Sequence, residues 1–354
     1  MEKLDRKHFS AQLIRDMCAC SECRHHGNGQ RLRSVLDLSS NVEIESVVLV
    51  DGLVHFYMSD QHTVIVTQAE VERLLYHNQF IDPRGESAKF LWYGKDIHEE
   101  KIDWNQYLGE PAVRLRALNS VAKLGFVLLK GVPRNPGTVL EVIDTFGFVR
   151  ETNYGDLFDV RVEDNPNNLA FTSLAIAPHT DNPYRDPVPT LQLLHCLNTT
   201  VLGGNSALVD GFQVANTLRK FHPESFELLV TENFRFVYEN EFTFLECVSP
   251  VLKLNTNGEV VEVRWNDRSM QSPAMSENVE EVFNALKAFA AIANEPSMAF
   301  EFRLDPGDCV IFDNTRLLHV RTAYESSGIR HLQGAYADID ALFSAIHILE
   351  RTNS

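Results

Sequence analysis

The sequence predicts a mainly β protein with flanking helices, a jelly roll or barrel preceded by a small N-terminal α/β region. Three observations predict it. From about residue 190 onward the chain is a series of short apolar runs, and many are separated by turn signals such as Gly203-Gly204, Asn257-Gly258 and Pro306-Gly307. Ahead of that series stands one continuously apolar strand, Gly125–Gly131, between two helical segments. Three of the six cysteines fall together at Cys18, Cys20 and Cys23, ahead of a polar, irregular stretch at 81–95.

The N-terminal region comes first. In a reducing compartment clustered thiols are metal ligands more often than disulfides. Cys18, Cys20 and Cys23 supply three ligands, and a tetrahedral zinc site needs a fourth. His25 and His26 lie so close to Cys23 that ring closure would be strained. His62 follows an expected hairpin, Val47–Val50 and Leu53–Tyr57 turned at Asp51-Gly52, which returns the chain to the cysteines. The expected structural zinc site is therefore Cys18, Cys20, Cys23 and His62. The alternative is reduced cysteines in a surface loop with an incidental histidine. A helix is expected over 67–78, with Thr67 and Glu70 as a capping box. The boundary between the regions is expected near residue 85, giving a small domain over 1–85 and a large one over 86–354.

In the large region, one helical segment is expected over 104–124 and another over 138–146. Strands are expected over 191–197, 206–209, 234–238, 251–254, 260–265, 299–304, 309–312, 319–324 and 331–337, with an amphipathic helix over 279–293. Composition narrows the function. The 354 residues carry 32 Lys+Arg against 49 Asp+Glu, a formal charge of −17, which disfavours a nucleic-acid or anionic-membrane partner. The basic patch Arg24-His25-His26 with Arg31 and Arg33 is too short to change this. No bilayer-length apolar run or signal-peptide core is present, and a cytoplasmic location is expected.

The chemistry centres on His179-Thr180-Asp181. On a strand or at its end, residues at i and i+2 point to one face. The pair is weak evidence alone, but His319 and Arg330 follow at a distance. Two histidines and a carboxylate on a β scaffold form the facial triad of non-heme iron(II) oxygenases, which leaves three coordination positions open. A bidentate 2-oxo acid and dioxygen would fill them, and an arginine one strand beyond can pair with the far carboxylate of 2-oxoglutarate.

At this point the chain resembles the Fe(II)/2-oxoglutarate dioxygenases of the taurine dioxygenase superfamily, specifically the γ-butyrobetaine hydroxylase-like branch. The resemblance rests on His179-Thr180-Asp181, Leu193-Leu194-His195-Cys196, Gly203-Gly204-Asn205-Ser206 with Val209-Asp210-Gly211-Phe212, Phe312-Asp313-Asn314, Arg330-His331-Leu332-Gln333-Gly334 and the N-terminal cysteines with the later histidine. It implies a double-stranded β-helix (jelly-roll) core. It also implies iron held by His179, Asp181 and His319, the 2-oxoglutarate C5 carboxylate held by Arg330, and Leu194 and Ser206 lining the cosubstrate site. For Leu194 a plain core role is equally open. The aspartate favours hydroxylation, since related halogenases lack it. The cofactor set is Fe(II), 2-oxoglutarate, O2 and structural zinc, with stimulation by ascorbate; a homodimer is implied.

A quaternary ammonium group is recognised by aromatic faces. Matching positions to the branch gives Tyr154, Phe158, Phe171 and Tyr336 as cage walls, with Asn168 and Asn266 at the anionic end. The branch expects tryptophan and tyrosine where Phe158 and Phe171 stand, so the cage would differ in shape. Tyr184, Arg185 and Arg268 add donors that would suit a group more highly charged than a carboxylate. The favoured substrate is 2-(trimethylammonio)ethylphosphonate, hydroxylated next to phosphorus as a first step of phosphonate degradation. γ-Butyrobetaine, giving L-carnitine, is the close alternative. A non-catalytic binding or sensing protein is the reading from another class.

Overall fold

The computed structural model describes residues 6–76, 82–161, 172–201, 203–324 and 328–353. It forms two compact units, Met1–Ile81 and Asp82–Ser354. The first contains α1 (Ala11–Asp16), an antiparallel sheet of β1 (Ile44–Val50), β2 (Leu53–Met58) and β3 (Thr63–Thr67), and α2 (Gln68–Tyr76). Asp51 and Gly52 both take positive φ, 51° and 81°, as a two-residue turn between right-twisted strands requires. The capping box forms as expected: the Thr67 amide donates to Glu70 Oε2 at 2.7 Å, and the Glu70 amide donates to Thr67 Oγ1 at 3.2 Å.

The second unit runs β4 (Lys101–Asp103), α3 (Trp104–Gly109), α4 (Pro111–Leu124), β5 (Phe126–Lys130), α5 (Thr138–Asp144), β6 (Phe158–Val160), β7 (Ile176–His179), β8 (Leu191–Thr199) and β9 (Ser206–Asp210). It continues with α6 (Gly211–Phe221), α7 (Pro223–Thr231), β10 (Phe234–Glu239), β11 (Phe244–Ser249), β12 (Leu252–Leu254), β13 (Val260–Val263) and α8 (Val279–Ala293). It ends with β14 (Ala299–Phe302), β15 (Cys309–Asp313), β16 (Leu317–Arg321), β17 (Arg330–Ala337) and α9 (Ile339–Asn353). A six-stranded sheet has the order β4-β5-β15-β8-β17-β6, and a four-stranded sheet the order β14-β9-β16-β7.

Period-two alternation sorts side chains into layers. Leu193, Cys309 and Ile311 turn outward to meet Val121, Val142 and Leu342 of the helices, while Val310 and Phe312 turn inward to meet Leu208, Phe302 and Leu317 of the other sheet. On the far side of the four-stranded sheet, Val209 and Leu318 pack under Phe212, Leu229 and Phe289 of α6, α7 and α8. Each such fully buried large side chain contributes about 1.5–3 kcal/mol of transfer free energy. The end of β9 is pinned by a fully buried ion pair: Arg316 donates to Asp210 Oδ2 at 2.7 Å and Oδ1 at 3.0 Å, and also to the carbonyls of Lys123 and Phe90.

Three expectations need correction. The single helix over 104–124 is two, because Glu110 is extended and Pro111 opens α4 at its first position, where its missing N–H costs nothing. The strand series is interrupted by α6 and α7 as well as α8. Asp210 caps α6 by accepting the Phe212 amide at 3.1 Å, and Phe212, Ala215 and Leu218 lie at helical spacing. With these and α9, the architecture is mixed helix and sheet rather than mainly β. Among the described residues no helix is long and apolar enough to cross a membrane.

Candidate active site and metal centres

The two histidines meet through strand register. His319 of β16 pairs directly with His179 of β7, which brings their ring centroids to 3.9 Å. Asp181 lies just beyond β7, where its backbone is clamped: its amide donates to Asn314 Oδ1 at 2.7 Å, and Asn314 Nδ2 donates to its carbonyl at 3.0 Å. Thr180 is held by Trp265 and Asn266. The Phe312-Asp313-Asn314 motif is thereby explained as scaffolding for the aspartate.

One ligand atom from each of His179, Asp181 and His319 lies within 4.8 Å of the others. Asp181 Oδ1 is 3.4 Å from His179 Nε2 and 3.8 Å from His319 Nε2. His179 Nδ1 is 2.9 Å from the Ala177 carbonyl, an acceptor, so Nδ1 is the donor there and Nε2 is the nitrogen left to face the cluster. Burial, reinforced by the neighbouring His179, lowers the His319 pKa to about 3, leaving it neutral. Burial opposes the charge of Asp181, but His319, His179 and Tyr336 outweigh it and hold the carboxyl well below its usual range. Two imidazoles and an ionised carboxylate converging this closely are a donor set fit for a divalent metal.

These three side chains open onto a cavity of about 610 Å³. Ser206 and Leu194 line it, as does Arg330, whose buried Nη1 has no hydrogen-bond partner among the described residues and whose guanidinium lies 5.4 Å from the Tyr324 ring. Burial lowers the Arg330 pKa. Gly204, at φ 67°, is needed here, since a Cβ would come within 3.3 Å of Arg330 Nε. Arg321, which sequence reasoning missed, lines the same cavity and donates to the carbonyls of Thr172 and Leu174 at 2.7 and 2.8 Å. Its signal was available: it stands two residues after His319 on one strand.

The aromatic residues gather on another part of the wall. Phe158 stacks on Tyr336 at 5.2 Å, and Tyr154 contacts Phe158 at 6.0 Å and Tyr238 at 5.9 Å. Tyr184, expected at the anionic end, instead stacks on Tyr238 at 5.1 Å, with its hydroxyl 2.7 Å from Asn182 Oδ1. Tyr238 was read only as a strand residue. Phe158 fits because its partner across the ladder is Gly334, where a Cβ would come within 2.3 Å of the ring. Asn266 and Arg268 line the cavity, and Arg268 Nε donates to Asn266 Oδ1 at 3.3 Å. Arg185 is not among the lining residues; its guanidinium donates to Asn153 Oδ1. Asn168 and Phe171 lie outside the described residues.

In the first unit, His62 Nδ1 lies 3.6, 3.5 and 3.8 Å from the sulfurs of Cys18, Cys20 and Cys23. Ordinary Zn–S and Zn–N bond lengths in a tetrahedron give an S···N edge of about 3.6 Å, so the four side chains fit zinc. Arg15 Nη1 donates to Cys23 Sγ at 3.3 Å and helps to orient that sulfur.

The fold overlays on asparagine oxygenase, solved with Fe(II), 2S,3S-3-hydroxyasparagine and succinate, with a TM-score of 0.51 and 18% identity over 66% of this chain and 81% of that one. Residues 91–336 match the taurine catabolism dioxygenase TauD, TfdA family, and the chain belongs to that family of dioxygenases. Within it the chain sits in the γ-butyrobetaine dioxygenase-like branch. It is 31% identical to gamma-butyrobetaine dioxygenase of Pseudomonas sp. (strain AK-1) over 97% of this chain and 91% of that one. It is 30% identical to trimethyllysine dioxygenase of Meyerozyma guilliermondii over 96% of this chain and 90% of that one.

Proposed function

We propose that the protein is an Fe(II)/2-oxoglutarate-dependent hydroxylase of a small trimethylammonium zwitterion, and that its two sheets are the halves of a double-stranded β-helix. One observation carries the reading: the His179, Asp181 and His319 cluster opens into the same cavity as a group of aromatic rings and the unpartnered Nη1 of Arg330. His179, Asp181 and His319 hold the iron; Cys18, Cys20, Cys23 and His62 hold zinc. With iron and 2-oxoglutarate bound, the site oxidatively decarboxylates the cosubstrate to succinate and CO2 and places one oxygen atom of O2 into a substrate C–H bond.

The chain's own part is binding and orientation. Arg330 meets the distal carboxylate of 2-oxoglutarate with a charge already desolvated by the fold, flanked by Ser206 and Leu194. Tyr154, Phe158, Tyr184, Tyr238 and Tyr336 present ring faces to the trimethylammonium group, which can accept no hydrogen bond and donate none. Tyr336 stays protonated, because burial and then Asp181 push its pKa well up, and it donates to the Asp181 carboxylate.

Arg268 favours a phosphonate at the anionic end, since it brings a cation to the cavity beside Asn266. The preferred substrate is 2-(trimethylammonio)ethylphosphonate, hydroxylated next to phosphorus. γ-Butyrobetaine, giving L-carnitine, is the second reading, favoured by the whole-length similarity to gamma-butyrobetaine dioxygenase. Purified protein is supplied with Fe(II), 2-oxoglutarate and each zwitterion, and succinate and hydroxylated product are measured. Succinate matched by the 1-hydroxyphosphonate is expected. Carnitine formation with no phosphonate turnover would overturn the preference, and no product from any trimethylammonium compound would overturn the hydroxylase reading.

A further inference from the structure

We infer that Gln192 and Tyr336 are positioning residues that hold Asp181 as a single-oxygen metal ligand. The inference rests on the metal-site reading above and concerns how that site keeps positions open. Both side chains converge on the same carboxylate oxygen: Gln192 Nε2 lies 2.8 Å and the Tyr336 hydroxyl 2.9 Å from Asp181 Oδ2. The other oxygen, Oδ1, is the one that faces Nε2 of both histidines. Two donors on Oδ2 occupy the lone pairs that a chelating carboxylate would turn to the metal. Asp181 therefore offers one bond, and a three-ligand site is kept from closing into a four-ligand one.

The surroundings show that the arrangement is held. Gln192 and Tyr336 are both almost wholly buried and are cross-strand partners in the β8–β17 ladder, so their side chains rise side by side from the sheet. The Gln192 amide must turn its NH2 to the carboxylate, which only accepts, and this leaves its Oε1 buried with no hydrogen-bond partner among the described residues. A glutamine whose carbonyl is stranded in the interior is poorly suited to a packing role, but suits a donor aimed at Asp181. Tyr336 also stacks on Phe158 at 5.2 Å, so the ring that holds the carboxylate is part of the cavity wall.

The test uses the full-length, zinc-loaded protein with Co(II) as the probe in place of iron. Tyr336→Phe removes one oxygen and keeps the stacked ring; Gln192→Leu removes the second donor. Each single variant is expected to bind Co(II) about tenfold to a hundredfold more weakly. The double variant should also show an altered visible d–d absorption, as a chelating carboxylate takes one of the positions that the wild type leaves to water. Zinc content and the thermal midpoint of Tyr336→Phe should stay at wild-type values, so that loss of fold is separated from loss of positioning. If the wild type takes up no Co(II) beyond its zinc site, the metal-site reading fails. If it does, and the double variant binds with the same affinity and spectrum, the positioning inference fails alone.

Discussion

Replacing Arg330 with methionine separates the cost of burying a charge from its use. Arg330 is only 9% exposed, and its Nη1 has no hydrogen-bond partner among the described residues, so the ligand-free protein carries a cation that is only partly compensated. Its contact with the Tyr324 ring at 5.4 Å returns about 0.5–2 kcal/mol. Methionine keeps an apolar stem in that space and removes the charge, so the ligand-free thermal midpoint is expected to hold or rise. Binding of 2-oxoglutarate should move the opposite way. Truncating one partner of a buried, hydrogen-bonded charge pair costs about 2–5 kcal/mol. A loss of about 3 kcal/mol weakens binding roughly 150-fold. At a concentration a hundred times the wild-type Kd, the cosubstrate stabilises the wild type by about 2.7 kcal/mol and the variant by only about 0.3 kcal/mol. The assay is thermal unfolding of the Mn(II)-loaded protein with and without 2-oxoglutarate, backed by calorimetric titration. A variant that keeps the full ligand-induced stabilisation would refute the assignment of Arg330 and the reasoning from its stranded nitrogen.

Three further outcomes are expected. With zinc held as proposed, substituting His62 with alanine should lower the zinc content and the unfolding midpoint of the N-terminal unit, read by metal analysis and calorimetry, because metal bonds would be part of its folding free energy. Tyr238→Leu should raise KM for the trimethylammonium substrate about tenfold while 2-oxoglutarate affinity stays constant, which steady-state kinetics with each ligand varied in turn would show. The third concerns His195, fully buried, whose pKa is lowered from 6.5 to about 4 by burial. The unfolded chain binds the extra proton in that window. The contribution is therefore fully present above about pH 6.5 and is lost as pH falls toward 4, by up to about 3 kcal/mol. His195→Gln should flatten the slope of stability against pH over that range in parallel denaturant titrations, and an unchanged slope would remove His195 as its source.

How much could be read without a structure varies element by element. Strands such as Cys309–Asp313 and Leu191–Thr199 announce themselves because both faces are largely buried and apolar residues dominate the run. The helix Gly211–Phe221 was missed because its start coincides with the end of a strand, and Gly211 gives no helical signal; the cap that decides it is the Asp210 side chain. Tyr238 was equally visible as a letter, but strand alternation alone does not say which face looks into a cavity, whereas Arg321 could have been found from its place two residues after His319.

The sequence by itself determined the donor chemistry. His179, Asp181 and His319, like the three cysteines and His62, are residue types with few other uses in combination, and Arg330 is a fixed charge that must be answered when buried. Tertiary structure alone decided how they act. Register between β7 and β16 brings the two histidines together across more than a hundred residues of chain, and the ladder between β8 and β17 sets Gln192 and Tyr336 side by side on one oxygen of Asp181. It also moved Tyr184 into the aromatic group and left Arg185 on Asn153. The physical reason is that ligand identity is a property of a side chain, whereas ligand geometry belongs to strand pairing, which brings together residues that are distant in sequence.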